Sequence, residues 1–199
     1  MSYSQLGQDI AVMDFYKDLS TGYFVDLGAY DGKFLSNSLL LEENGWNGIC
    51  VEPLESAYEN LCKIRKCYKT NKAVWHTTGS TMEFAEHETL SGFSGFSVHK
   101  NDGSDVKKIM LKTISLNDLL DEAGAPKFIE YLSIDTEGSE YDILSAVDYS
   151  KYTFGLIDVE HNYQEDNRRA IRTLLESNGY AYLRENKWDD CYIHKTLMK

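Results

Sequence analysis

The chain has 199 residues, of which 42% are apolar and 13% aromatic, and it carries a net charge of −12. Such a length suits one domain (1–199) with a central sheet and two helical layers, and the acidic balance argues against nucleic acid or an anionic membrane as the main partner. No apolar run reaches the roughly 18 residues a membrane span needs, and the polar opening Met1-Ser2-Tyr3-Ser4-Gln5 does not read as a signal peptide, so the expected location is cytoplasmic.

In chain order, Gln8 to Leu19 carries Ile10, Val12, Met13, Phe15, Tyr16 and Leu19 near helical spacing, which predicts an N-terminal helix. Tyr23 to Leu27 is a short apolar run of strand length, broken at Gly28, with Gly32 following after Asp31. Leu35 to Asn44 reads as a helix with Gly45 as its cap. Strand Gly48 to Glu52 stops at Pro53, helix Ser56 to Ile64 follows, and Tyr68 to Trp75 is a third strand. Thr81 to Ala85 and Ile109 to Ile114 predict a further strand pair around the segment 87–105, which holds Phe93 and Phe96 and suits a lid or a surface loop.

The alternation then resumes. Ser115 caps a helix to Ala123, Phe128 to Ile134 is a strand, Ser139 to Val147 a helix, and Phe154 to Val159 a strand. Glu165 to Ser177 is amphipathic, with Ile171, Leu174 and Leu175 inward, and Asn178-Gly179 closes it. Tyr180 to Arg184 and Cys191 to His194 form a last strand pair. Alternating strands and helices predict an α/β fold: a mostly parallel sheet, helices on both faces, one antiparallel strand at the edge. Cys50, Cys62, Cys67 and Cys191 form no C-x-x-C pair, so reduced structural thiols are expected.

Strand, glycine loop and helix open a nucleotide-binding unit. A pyrophosphate wants backbone N–H groups and little negative charge. Here Asp26 ends the strand, Asp31 sits in the loop, and no third glycine completes G-x-G-x-x-G. A cationic cofactor without phosphate, S-adenosylmethionine, suits these carboxylates better, although Asp31 could simply cap a helix. Glu52 lies about 20 residues past Gly32, the spacing at which a carboxylate meets ribose hydroxyls, a contact that NAD also uses.

Ligands of such sheets bind beyond the carboxyl ends of the strands. Those ends carry Asp26, Glu52, Asp135 with Glu137, and Glu160-His161. Asp135 and Glu137 could position a hydroxyl, take its proton or hold a cation. His161 is the first candidate for a general base, because imidazole titrates near working pH. The cluster Lys63, Arg65, Lys66, Lys69 and Lys72 could touch an anionic polymer but reads better as a solvated helix end.

These motifs resemble, in order, the FkbM-type S-adenosylmethionine-dependent methyltransferases: Tyr3 to Asp9, Phe24 to Gly32, Ser36-Asn37-Ser38, Gly45-Trp46, Glu52-Pro53, Leu90-Ser91-Gly92, Ile134 to Glu140 and Val159 to Asn162. The resemblance covers nearly the whole chain; Gln8 departs from it, standing where the family usually has Glu. It implies a Rossmann-like class I methyltransferase fold with seven strands, the seventh antiparallel. It also implies O-methylation of a sugar, glycan or natural product. The cofactor residues it implies are Gln5, Asp26, Gly28, Ala29, Asp31, Gly32, Asn37, Glu52, Pro53, Ala73, Val74 and Asp135, with His161, Asp135, Glu137 and Glu160 as catalytic residues. A related group of sugar O-methyltransferases holds a divalent metal at positions comparable to Asp135 and Glu160, so Mg2+ is carried as an expectation. A nicotinamide-dependent oxidoreductase and a non-catalytic relative are the alternatives.

Overall fold

The computed structural model describes residues 1–86, 91–94 and 107–198. The chain opens with α1 (Gln8–Phe15), β1 (Tyr23–Leu27), α2 (Leu39–Glu43), β2 (Asn47–Val51), α3 (Glu55–Ile64) and β3 (Tyr68–Thr70). Four strands follow: β4 (Ala73–Trp75), β5 (Thr81–Glu86), β6 (Gly92–Phe93) and β7 (Lys107–Ser115). The second half is α4 (Leu116–Glu122), β8 (Phe128–Ile134), α5 (Glu140–Ser145), β9 (Thr153–Glu160), α6 (Glu165–Ser177), β10 (Tyr180–Asn186) and β11 (Asp189–His194).

Seven strands form one sheet in the order β10-β11-β9-β8-β1-β2-β3. From β1 the chain winds outward through β2 and β3, then returns to β8 on the other side, so the switch point lies between β1 and β8. β11 runs antiparallel to both neighbours, β9 and β10. The antiparallel member expected at the edge therefore sits one place in from it.

Strand alternation supplies both apolar faces. Val25, Leu27, Ile49, Val51, Leu132 and Ile134 pack with Leu119, Leu120, Ile143, Leu144, Ile171 and Leu175 of α4, α5 and α6. Phe24, Cys50 and Tyr131 face the other way, against Val12, Leu41 and Leu61 of α1, α2 and α3. Burying one such side chain contributes about 1.5–3 kcal/mol, so both layers are held by their inward rows. All four cysteines are free thiols, and three of them are buried. No described helix is long and apolar enough to cross a membrane.

Several expected boundaries move, each for a local reason. The third strand is two short ones in different sheets: β3 pairs with β2, whereas β4 pairs with β7. β4, β5, β6 and β7 make a second sheet in the order β4-β7-β5-β6, with the expected pair β5 and β7 antiparallel. Helix α1 ends at Phe15, and Tyr16 donates its hydroxyl to the Glu130 carbonyl at 3.0 Å. Helix α2 starts only at Leu39, because side chains cap the backbone before it. Asp31 Oδ1 accepts from the Lys33 and Phe34 N–H groups, and Ser36 Oγ accepts from Leu39 N. Gly45 does end α2: its φ is +90°, and Trp46 N donates back to the Leu41 carbonyl. Of the segment 87–105, only 91–94 belong to the described residues; Phe96 and the remainder lie outside them.

Candidate active site

Two adjoining cavities open at the carboxyl ends of β1, β2 and β8, of about 610 and 870 Å3, and they share Gly28, Tyr30, Asp135 and Glu137. Gly28 makes this junction feasible. Its φ is +92°, and a Cβ there would lie 1.9 Å from the Asp135 carbonyl oxygen, so only glycine lets the two strand ends meet.

The smaller cavity is the more apolar. Leu27, Val51, Pro53, Ala73, Val74 and Phe84 line it, with Phe93 of the small sheet. Glu52 is buried there, away from Asp135 and Glu137 at the junction with the second cavity. One carboxylate oxygen accepts from Tyr30 N at 2.9 Å and the other from Leu54 N at 2.7 Å, which fixes the group in place. Burial raises its pKa to about 7, against the opposing pull of those two hydrogen bonds. An apolar slot with one clamped carboxylate fits a flat base attached to a ribose. Gly92 packs close to Glu137 (a Cβ on it would lie 3.0 Å from the Glu137 Cβ), so β6 rests on the loop after β8.

The larger cavity is acidic. Asp26, Asp135, Glu137, Glu160 and Asp189 line it, with Gln5, Asn37, Asn162 and Trp188. Asp26 is buried and accepts from the Ser38 hydroxyl, which in turn receives the Arg65 guanidinium at 3.0 Å. Burial raises the Asp26 pKa; Ser38 and Arg65 pull it back. Oxygens of Asp135, Glu137 and Glu160 lie within 4.8 Å of one another. Asp135 opens to the cleft yet is ringed by protein, and burial, then Glu137, push its pKa well up. Burial and Asp135 do the same to Glu160. Glu137 stands in a left-handed conformation (φ +57°), is 5% exposed, and keeps Oε2 without a partner. Burial, then Glu140, raise its pKa to about 7.

The N-terminal segment closes one side. Asp9 accepts from the Ser2 and Ser4 hydroxyls and from Tyr3 N at 2.6–2.7 Å, which folds residues 2–4 back and leaves Gln5 at the cleft. Gln8 donates to Asp189 at 2.7 Å. Asn37 donates to the Ser133 hydroxyl at 2.9 Å and keeps its own oxygen buried and unpaired.

The structure thus brings together Gln5, Asp26, Gly28, Ala29, Asn37, Glu52, Pro53, Ala73, Val74, Asp135, Glu137 and Glu160. It does not bring Asp31, Gly32 or His161. Asp31 caps the turn at Lys33 and Phe34. Gly32 gives room to Leu61 and Arg65. The expected general base lies elsewhere: His161 Nδ1 accepts from Tyr163 N, and Nε2 lies 3.8 Å from Asp190, beside Arg168. Burial and the Arg168 charge lower its pKa. Three members of the basic cluster are tied up, whereas Lys63 and Lys66 are exposed, as a solvated helix end would be. Arg65 is buried against Glu42, Lys69 caps carbonyls, and Lys72 pairs with Glu122.

An acidic, glycine-hinged cleft on a seven-stranded sheet with β11 antiparallel is the frame of class I methyltransferases that use S-adenosylmethionine. Residues 26–182 match the methyltransferase FkbM domain. The chain belongs to the FkbM methyltransferase family. Among solved structures, the FkbM domain is similar to PH1948, a candidate RNA methyltransferase of Pyrococcus horikoshii, at 10% identity and TM-score 0.51, over 95% of this chain and 82% of that one. Precorrin-6y C5,15-methyltransferase of Geobacter metallireducens matches at 13% identity and TM-score 0.47, over 93% and 84%. At such identities the likeness is one of fold. No curated protein matches the chain.

Sequence reasoning missed several residues that line the cleft: Tyr30, Trp188 and Asp189 among them. Asp189 had a findable signal. An antiparallel strand beside β9 starts where β9 ends, and the register pairs Asp189 with Glu160.

Proposed function

We propose that this protein transfers a methyl group from S-adenosylmethionine to a hydroxyl of a sugar, glycan or natural product. One observation carries the reading: an apolar cavity holding a clamped carboxylate adjoins an acidic cleft, with Glu137 at their junction. The adenosine fits the first cavity, its ribose hydroxyls donating to Glu52. The sulfonium and ammonium fit among the carboxylates of the second. A nicotinamide cofactor loses support, since the Gly28 and Ala29 N–H groups already donate to the Val51 carbonyl and no helix starts there to receive a pyrophosphate.

In the proposed reaction the acceptor oxygen attacks the methyl carbon, the carbon–sulfur bond breaks, and neutral S-adenosylhomocysteine leaves. The hydroxyl proton passes to Glu137, whose unpaired oxygen and pKa of about 7 suit that task. Holding donor and acceptor in line can supply about 7–11 kcal/mol of the barrier. Asp135, Glu137 and Glu160 also form a hard-oxygen donor set that fits Mg2+. Bound there, the ion would acidify an acceptor hydroxyl.

Incubation with methyl-labelled donor and a panel of hydroxyl compounds tests the reading. Label in an alkali-stable ether is expected; label only on nitrogen or carbon contradicts it. Turnover that falls with a chelator and returns with Mg2+ supports the metal. Indifference to the chelator leaves proton removal to Glu137 alone.

A further inference from the structure

The proton transfer above leaves one wall of the acidic cleft without a task. Asp189 opens β11 opposite Glu160, is 6% exposed, and lines the cleft beside Trp188. Its position is built from the far end of the chain. Gln8 Nε2 donates to Asp189 at 2.7 Å, while Gln8 Oε1 accepts from Leu6 N at 2.9 Å. Asn186 in turn donates to the Leu6 carbonyl at 3.3 Å. A buried carboxylate held by a buried amide is costly unless something meets it.

Among the described residues, the cleft's lining holds five carboxylates and no Lys, Arg or His. Lys187 stands just outside it, 5.3 Å from the centre of the Trp188 ring. A second, independent observation points to the ligand's chemistry. Glu137 Oε2 and Asn37 Oδ1 are buried acceptors with no donor. What is missing is donor groups, which hydroxyls and ammonium groups bring. A phosphate or carboxylate brings only further acceptors and a like charge, and one repulsion of that kind across a cleft weakens binding by about tenfold or more.

We propose that Asp189, held by Gln8, reads the methyl acceptor, and that this acceptor is a polyol that is uncharged or carries an ammonium group, phosphorylated and carboxylated compounds being excluded. The inference rests on the O-methyltransferase reading and narrows its substrate class. The methyl donor neutralises part of the cleft, but its own carboxylate offsets one of its two positive charges, so the wall at Asp189 stays acidic.

Calorimetry on the full chain saturated with S-adenosylhomocysteine tests this at about pH 8, well above the ordinary range of a carboxylate. The probes are methyl glucoside, its 6-amino-6-deoxy derivative and its 6-phosphate. The amine should bind at least as tightly as the neutral sugar, and the phosphate about tenfold more weakly or worse. Asp189→Asn keeps an oxygen for Gln8 but removes the charge, so the amine-to-phosphate ratio should drop about tenfold, a change that a purely structural role would not produce. A phosphate that binds as well as the amine overturns the proposal. So does an unchanged ratio in Asp189→Asn, or a loaded protein that takes none of the three probes. A protein that fails to bind S-adenosylhomocysteine at all removes the methyltransferase reading itself.

Discussion

Glu137 and His161 separate two accounts of the proton. Glu137→Gln keeps the shape of the side chain but not its basicity, so turnover should fall by about 10²–10⁴-fold while affinity for S-adenosylhomocysteine holds within about threefold. His161→Gln should keep turnover within about tenfold of wild type, because its ring turns to Asp190 and not to the cleft. Steady-state rates together with calorimetry decide both. The pH profile follows the same group: Glu137 works as a base only when ionised, so the rate should rise with pH through about 7. Glu52 behaves similarly toward the cofactor, and Glu52→Gln would set an amide NH2 against the Tyr30 or Leu54 N–H. Cofactor affinity should then fall by about tenfold or more. Glu52 was legible in the sequence because a spacing from the glycine loop fixes where its strand ends. His161 was not. Successive residues of a strand face opposite ways, and Glu160 takes the cleft side. Just beyond it the chain turns through Asn162 and Tyr163, both with positive φ, and carries the ring off.

At the scale of elements, the junction of β1 and β8 is the tightest constraint. Gly28→Ala would drive a Cβ into the Asp135 carbonyl in a backbone conformation that alanine resists. It should cost about 3 kcal/mol or more of unfolding free energy in urea titrations and disrupt cofactor binding with it. The alternation of strands and helices was plain from hydrophobic runs, as were Ser115 capping α4 and Gly45 ending α2. The late start of α2 was hidden, because Asp31 and Ser36 compete for backbone N–H groups that a helix would otherwise use. The split of the third strand was hidden too. Tyr68 to Trp75 reads as one strand although Lys69-Thr70-Asn71-Lys72 interrupts its apolar residues, and its pairing partners, β2 and β7, assign its halves to different sheets.

For the whole molecule, the gathered acids tie stability to pH. Glu52, Glu137 and Asp189 each have a folded pKa raised to about 7 by burial. Between their unfolded values and about pH 7 the folded chain binds more protons than the unfolded one, so stability is full at low pH and falls as pH rises through 7. Each group contributes on the order of 1–3 kcal/mol. Arg168 acts oppositely on Asp190, holding its pKa down, so that contribution is lost only in stronger acid. The melting temperature of the ligand-free protein should therefore peak near pH 5 and drop toward pH 8, as scanning calorimetry can show. A flat or rising curve over that range would mean the carboxylates are not buried as described.

Calorimetric titration of the purified protein with S-adenosylhomocysteine is the most direct measurement. One site per chain is predicted, with affinity that rises as pH passes through about 7 and falls by about tenfold in Glu52→Gln. A folded protein that takes up no S-adenosylhomocysteine, or binds it equally well in Glu52→Gln, would contradict a cofactor site at this switch point.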